Sequence, residues 1–172
     1  MTHIEQAAVA AGPWRKFTRL YAATLSGLLA ATVALLIIPV SLQIFSRYTE
    51  LIPSYIWTEE MARFMFIWTI MIGAMIGVRE STHFEVDLLP RLRPRGEALA
   101  RLTGRFGVLV IALVFVYAGL EFTRFAWNRT SELAELPLWY IHVAWPVTGV
   151  TWIVFLGEAM LDDLRTVFGR SE

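Results

Sequence analysis

The chain is 172 residues long, about one domain, yet 56% of it is apolar and its mean hydropathy is +0.55, more than a soluble globule of this size carries. Its 15 basic and 15 acidic residues cancel, so no net charge points to a nucleic acid or an acidic substrate. Cysteine is absent, which excludes disulfide frameworks, thiolate metal sites, CxxC redox chemistry and cysteine nucleophiles.

Residues 1–19 read as a cytoplasmic segment ending in Trp14, Arg15, Lys16 and Arg19, with Trp14 an interfacial anchor. Leu20 to Ile44 then runs without a charge. As a helix it rises about 37 Å, enough for a hydrocarbon core of roughly 30 Å. It is about twice as long as a signal-peptide core and no small-residue cleavage site closes it, so it reads as a retained anchor. Its small residues Ala23, Gly27 and Ala31, beside Ala22, Ser26, Ala30 and Ala34, suit a helix packed against protein, although an alanine-rich face turned to lipid fits them too.

A second span covers Ile56 to Val78 and a third Leu102 to Trp127. Their uncharged centres, Phe64 to Val78 and Phe106 to Leu120, rise only about 22 Å each, so their outer tips carry charge at the hydrocarbon edge. Between them the segment from Arg79 to Arg101 holds Pro90 and Pro94 in a PRLRPR run, an interfacial turn whose arginines suit anionic lipid headgroups. Leu138 to Leu161 is the fourth span, with Trp139, Tyr140, Trp145 and Trp152 placed for the interface or for helix packing, and 162–172 is a tail. The expected fold is all-α, a four-helix transmembrane bundle with short interfacial segments.

Basic residues set the orientation. Arg47, Arg63, Arg124 and Arg129 lie on one side, while the N-terminal segment, the middle loop and the tail hold the rest. By the positive-inside rule both termini and the middle loop are cytoplasmic.

Span two opens on Trp57-Thr58-Glu59-Glu60-Met61-Ala62-Arg63, two carboxylates and an arginine at the edge of an apolar run, with Trp57 as an interface anchor. Glu59 and Arg63 are spaced i, i+4 in the favourable order, and Glu60 and Arg63 are i, i+3. Acidic residues in a first turn also suit the helix dipole. Glu59, Arg63, Ile67, Ile70, Ala74 and Gly77 share one helical face with Gly73 beside them, so the charges and a GxxxG run together. Glu121 and Arg124 repeat an i, i+3 pair near the outer end of span three. The expectation is a cross-helix cluster of Glu59, Glu60, Arg63, Glu121 and Arg124; the alternative is that each pair closes within its own helix.

Little here supports other chemistry. Transporters and pumps keep an ionisable residue near mid-membrane, whereas these charges cluster at the span ends. Small four-helix drug exporters use a carboxylate in their first span, which this chain lacks. Of the histidines, His142 alone is near a span, and a haem between helices needs facing axial ligands. His83-Phe84-Glu85-Val86-Asp87 reads as solvated residues, with His83 and Asp87 at i, i+4, rather than as a metal site. No cofactor, no metal and no enzymatic motif is expected.

Trp57-Thr58-Glu59-Glu60-Met61-Ala62-Arg63, the run Gly73 to Val78, and His83-Phe84-Glu85-Val86-Asp87-Leu88-Leu89 together resemble the small membrane subunit of tripartite ATP-independent periplasmic (TRAP) transporters, the DctQ-like family. Leu136-Pro137-Leu138-Trp139 leading to Pro146 and Gly149 is similar to the family's approach to its last helix. The resemblance covers about Trp14 to Leu161 and gives His83, Val86 and Asp87 as a family-motif loop. It implies a multi-pass protein of the bacterial inner membrane that braces a large membrane subunit, a separate chain. That subunit would import an organic acid on a sodium gradient, delivered by a periplasmic binding protein. The loops Arg47 to Tyr55 and Phe125 to Pro137 would then face the binding protein. The competing reading is a self-assembling small four-helix transporter or channel.

Overall fold

The computed structural model describes residues 13–49, 57–80 and 94–168. These form five helices: α1 (Pro13–Tyr48), α2 (Trp57–Glu80), α3 (Pro94–Ala126), α4 (Trp139–His142) and α5 (Ala144–Phe168). Four helical units are long and apolar enough to cross a membrane: α1, α2, α3 from Ala100, and α4 with α5 acting as one span. The expected all-α, four-span architecture is therefore the one observed. His83, Val86 and Asp87 lie outside the described residues.

Local chemistry sets the boundaries. α1 begins at Pro13 and α3 at Pro94, and proline suits a first helical position because the N–H it lacks would have no helical partner there. α1, α2 and α3 carry Arg47, Arg79 and Arg124 in their last turns, where a cation complements the helix dipole. The break at Val143 between α4 and α5 is traced to Pro146, which cannot donate to the carbonyl of His142 and crowds it. The chain still follows one path, since Val143 donates to Trp139 O at 2.9 Å and Val147 to Val143 O at 3.2 Å.

Across the molecule the order is α1, α2, α5, α3. α3 packs most heavily on α5, and α2 lies between α1 and α5. Among the described residues the backbones of α2 and α3 do not come close to each other, nor do those of α1 and α3. Burial of the spans runs opposite to their hydropathy: the most apolar window, in α1, is 6% buried and the least apolar, in α4–α5, is 44% buried. A soluble bundle sorts the other way; here the most apolar helices keep their surface outward, where acyl chains solvate it.

The core between α1, α2 and α5 is Ala22, Leu25, Ile72, Met75 and Phe155. Polar groups inside it are partnered. Tyr21 Oη and Thr151 Oγ1 are 2.8 Å apart, and Trp152 Nε1 donates to Ala74 O at 3.0 Å. The α3–α5 contact rests instead on two glycines. A Cβ on Gly119 would lie 2.5 Å from Pro146 Cδ, and one on Gly149 would lie 2.6 Å from Ala112 O.

Candidate functional site

The end of the molecule where α1 and α3 finish and α2 and α4 begin, the distal end, gathers most of the candidate residues. Glu59 and Glu60 occupy the first turn of α2. Arg63 Nη2 donates to Glu59 Oε1 at 3.3 Å, with both side chains more than half exposed. Arg124 Nη1 donates to Glu121 Oε1 at 3.4 Å, again in the open. Each pair closes within its own helix, and the expected cross-helix cluster does not form within this chain. The reason is the helix order: α5 separates α2 from α3, so antiparallel connectivity does not bring the two charged ends together.

Glu60 departs further from expectation. It is 7% exposed and bonds not Arg63 but the segment that joins α3 to α4. That segment folds into a small hairpin: Ser131 N donates to Leu136 O at 2.8 Å, Leu138 N donates to Arg129 O at 2.9 Å, and Thr130 and Pro137 form an antiparallel bridge. At its turn Glu135 adopts φ 51°, the left-handed region. The turn amides of Leu133 and Ala134 donate to Glu60 Oε1 and Oε2 at 3.2 and 2.7 Å. Ser131, whose Oγ accepts the Leu136 amide at 3.1 Å, lines the same cleft as this carboxylate. The carboxylate thus has two backbone donors from one loop, which offset the cost of its burial.

Two clefts flank the hairpin. One, of about 590 Å³, is lined by Glu60, Arg63, Arg129 and Ser131 among others. The second, of about 460 Å³, lies between Trp57 and Met61 of α2 and Leu133 to Leu136 of the hairpin. Arg129 is held over the Phe125 ring, its guanidinium carbon 3.9 Å from the centroid. Trp139 stacks on Trp127 at 5.4 Å, an aromatic pair at the same end. Trp57 is 45% and Trp14 51% exposed.

The small-residue positions divide differently from expectation. Gly73, Gly77 and Gly27 have no atom near a built Cβ, and Ala23 and Ala31 are exposed, so none of the described helices packs closely there. Ala74 is used through its carbonyl, by Trp152. The close approach falls instead at Gly149 and at Gly119, and no spacing or neighbouring residue type singles Gly119 out in the sequence. His142 Nδ1 is 2.8 Å from Leu138 O and its ring packs near Phe122, a structural environment. Among the described residues no group of three histidine or acidic side chains could hold a metal ion.

Four apolar spans with charges confined to their ends define an integral, multi-pass membrane protein. The sequence model of the family described as "Tripartite ATP-independent periplasmic transporters, DctQ component" matches residues 36–166, and the chain belongs to that family. It is 28% identical over 127 residues to the sialic acid TRAP transporter permease protein SiaT of Haemophilus influenzae, covering 72% of this chain and 20% of that protein. It is 26% identical over 96 residues to the isethionate TRAP transporter permease protein DctMQ of Oleidesulfovibrio alaskensis, covering 54% and 15%. It is 27% identical over 95 residues to the C4-dicarboxylate TRAP transporter small permease protein DctQ of Rhodobacter capsulatus, covering 54% and 42%. In each case the match spans less than half of the relative's length. The family is a transporter component.

Proposed function

We propose that this chain is a scaffold subunit: it braces a large, separate permease chain that imports an organic acid on a sodium gradient, the acid being delivered by a periplasmic binding protein. The observation that carries the bracing role is the distribution of charge. Leu20 to Ile44, Phe64 to Val78 and Phe106 to Leu120 contain no charged residue, and the fourth span adds none between Leu138 and Gly157. A subunit whose spans hold no ionisable carboxylate or cation at mid-membrane has little with which to couple an ion gradient to a substrate.

The relatives are named for sialic acid, isethionate and C4-dicarboxylate, all organic acids, which supports that substrate class. Sodium coupling and the binding protein rest on the family resemblance. The exposed face of α2, with Glu59, Arg63, Gly73 and Gly77, is the proposed contact with the large subunit, because none of the described helices packs closely on it. The positive-inside distribution supports a distal end facing the periplasm, with both termini cytoplasmic. The test is reconstitution: liposomes with this chain alone should take up no organic acid, and uptake should require the large subunit, the binding protein and sodium. Flux through the isolated chain, with homo-oligomers joined through Gly73 and Gly77, would favour the self-assembling transporter instead.

A further inference from the structure

We propose that Glu60 is the anchor on which the hairpin of residues 129–138 folds, and that through it one buried carboxylate fixes the shape of both distal clefts. The hairpin has little to hold it by itself. Its two cross-strand hydrogen bonds, Ser131 N to Leu136 O and Leu138 N to Arg129 O, and one bridge make a ladder too short to stand alone in water. What it has in addition is a turn whose consecutive amides, Leu133 and Ala134, point at one acceptor. Successive backbone N–H groups converging on an anion form a nest, and here the anion is a side chain 73 and 74 residues distant in sequence.

Ser131 closes the turn that presents these amides. Its Oγ accepts the Leu136 amide at 3.1 Å, so the two sides of the turn that holds the carboxylate are tied together. The cation that sequence spacing offered to Glu60 is engaged elsewhere, since Arg63 pairs with Glu59. Glu60 therefore recognises the loop. Each cleft has one wall on α2 and one on the hairpin: Arg63 and Phe64 face Arg129 to Glu132 in the first, and Trp57 and Met61 face Leu133 to Leu136 in the second. Release of the carboxylate parts both pairs of walls at once. A positioning role of this kind depends on the chemistry of the carboxylate and not on its volume.

The experiment is residue-resolved amide exchange on the full chain in lipid nanodiscs, comparing wild type with Glu60→Gln and Ser131→Ala. Glu60→Gln keeps size and shape but turns one acceptor oxygen into a donor aimed at an amide. Exchange at Leu133 and Ala134 should rise about tenfold, the scale of losing a hydrogen bond to a charged group. Amides of the core positions Ile72 and Met75 should stay as in wild type. Ser131→Ala should raise exchange at Leu133, Ala134 and Leu136 by a smaller factor, and this variant decides the question if Glu60→Gln fails to insert. Unchanged exchange at the turn, or an equal rise at Ile72 and Met75, overturns the proposal.

Discussion

The indole N–H of Trp152 on α5 donates to the backbone carbonyl of Ala74 on α2 at 3.0 Å, while the same ring stacks 5.2 Å from Phe115 on α3. One side chain thus ties three helices together. A helical carbonyl has a second lone pair, so Ala74 accepts without giving up its place in α2. No water competes for the bond in a bilayer core. Trp152→Phe should keep the stacking and lose the donor, lowering stability by about 0.6 to 1.7 kcal/mol, the range of interhelical hydrogen bonds in membranes. Trp152→Leu should cost more, because it removes the ring contact as well. Denaturant titration of the chain in mixed micelles reads both, and equal midpoints for wild type and Trp152→Phe would mean that the bond contributes nothing.

The glycines separate internal packing from outward surface. At Gly119 an added methyl meets Pro146 Cδ and N, and at Gly149 it meets Ala112 O and the backbone nitrogen of Val116. Backbone atoms cannot swing aside as a flexible side chain does, so Gly119→Ala and Gly149→Ala should each destabilise the chain by about 1 to 3 kcal/mol. Gly73→Ala and Gly77→Ala meet no neighbour and should leave the isolated chain as stable or slightly more so, by up to about 1 kcal/mol of helix propensity. If these outer positions form the proposed contact, co-purification of the large subunit should fall with the second pair while the unfolding midpoint holds. The opposite pattern would place the subunit contact elsewhere.

Helix number and type are legible from sequence because spanning a hydrocarbon layer leaves a signal that needs no partner: long uncharged runs ending in charge and aromatic rings. Residue spacing also identifies the pairs Glu59–Arg63 and Glu121–Arg124, since i, i+4 and i, i+3 contacts are local. What spacing does not supply is which helix stands next to which. Antiparallel connectivity suggests that α2 and α3 are neighbours, but the close fit of Gly119 to Pro146 and of Gly149 to Ala112 draws α5 onto α3, and α5 then fills the place between α2 and α3. Spacing assigns Glu60 to Arg63 for a related reason: its true donors include backbone amides, which nearly every residue has, so no residue type at 133 and 134 marks them in advance.

Charge reversal distinguishes a local ion pair from a contact with the large subunit. The Glu59–Arg63 pair is exposed, so Arg63→Glu should change the stability of the isolated chain by about 0.5 kcal/mol or less. In the presence of the large subunit the same substitution should reduce co-purification several-fold, because a like-charged tip would then face whatever group complements Arg63. The exchanged pair Glu59→Arg with Arg63→Glu should restore part of it. Glu60→Arg with Arg63→Glu should not, since Glu60 is engaged with Leu133 and Ala134. Rescue by the Glu60 change and not the Glu59 change would reverse that assignment. Undiminished co-purification of Arg63→Glu would exclude Arg63 from the contact.

Topology follows from the distribution of arginine and lysine and can be read directly, because the chain contains no cysteine to replace first. Lys16 on α1 and Glu132 on the hairpin are exposed and lie at opposite ends of the molecule. At the end that includes Glu132 the basic residues are Arg47, Arg63, Arg124 and Arg129, and two of these four are neutralised within their own helices by Glu59 and Glu121. Arg15, Lys16, Arg19, Arg79, Arg101 and Arg105 lie toward the other end, where retention of cations in the cytoplasm would hold them. A membrane-impermeant maleimide added to intact spheroplasts should therefore label Glu132→Cys at once and Lys16→Cys only after the membrane is permeabilised. Labelling of Lys16→Cys in intact spheroplasts would invert the topology and place both clefts in the cytoplasm. The hairpin anchored by Glu60 could not then face a periplasmic binding protein, whatever its geometry.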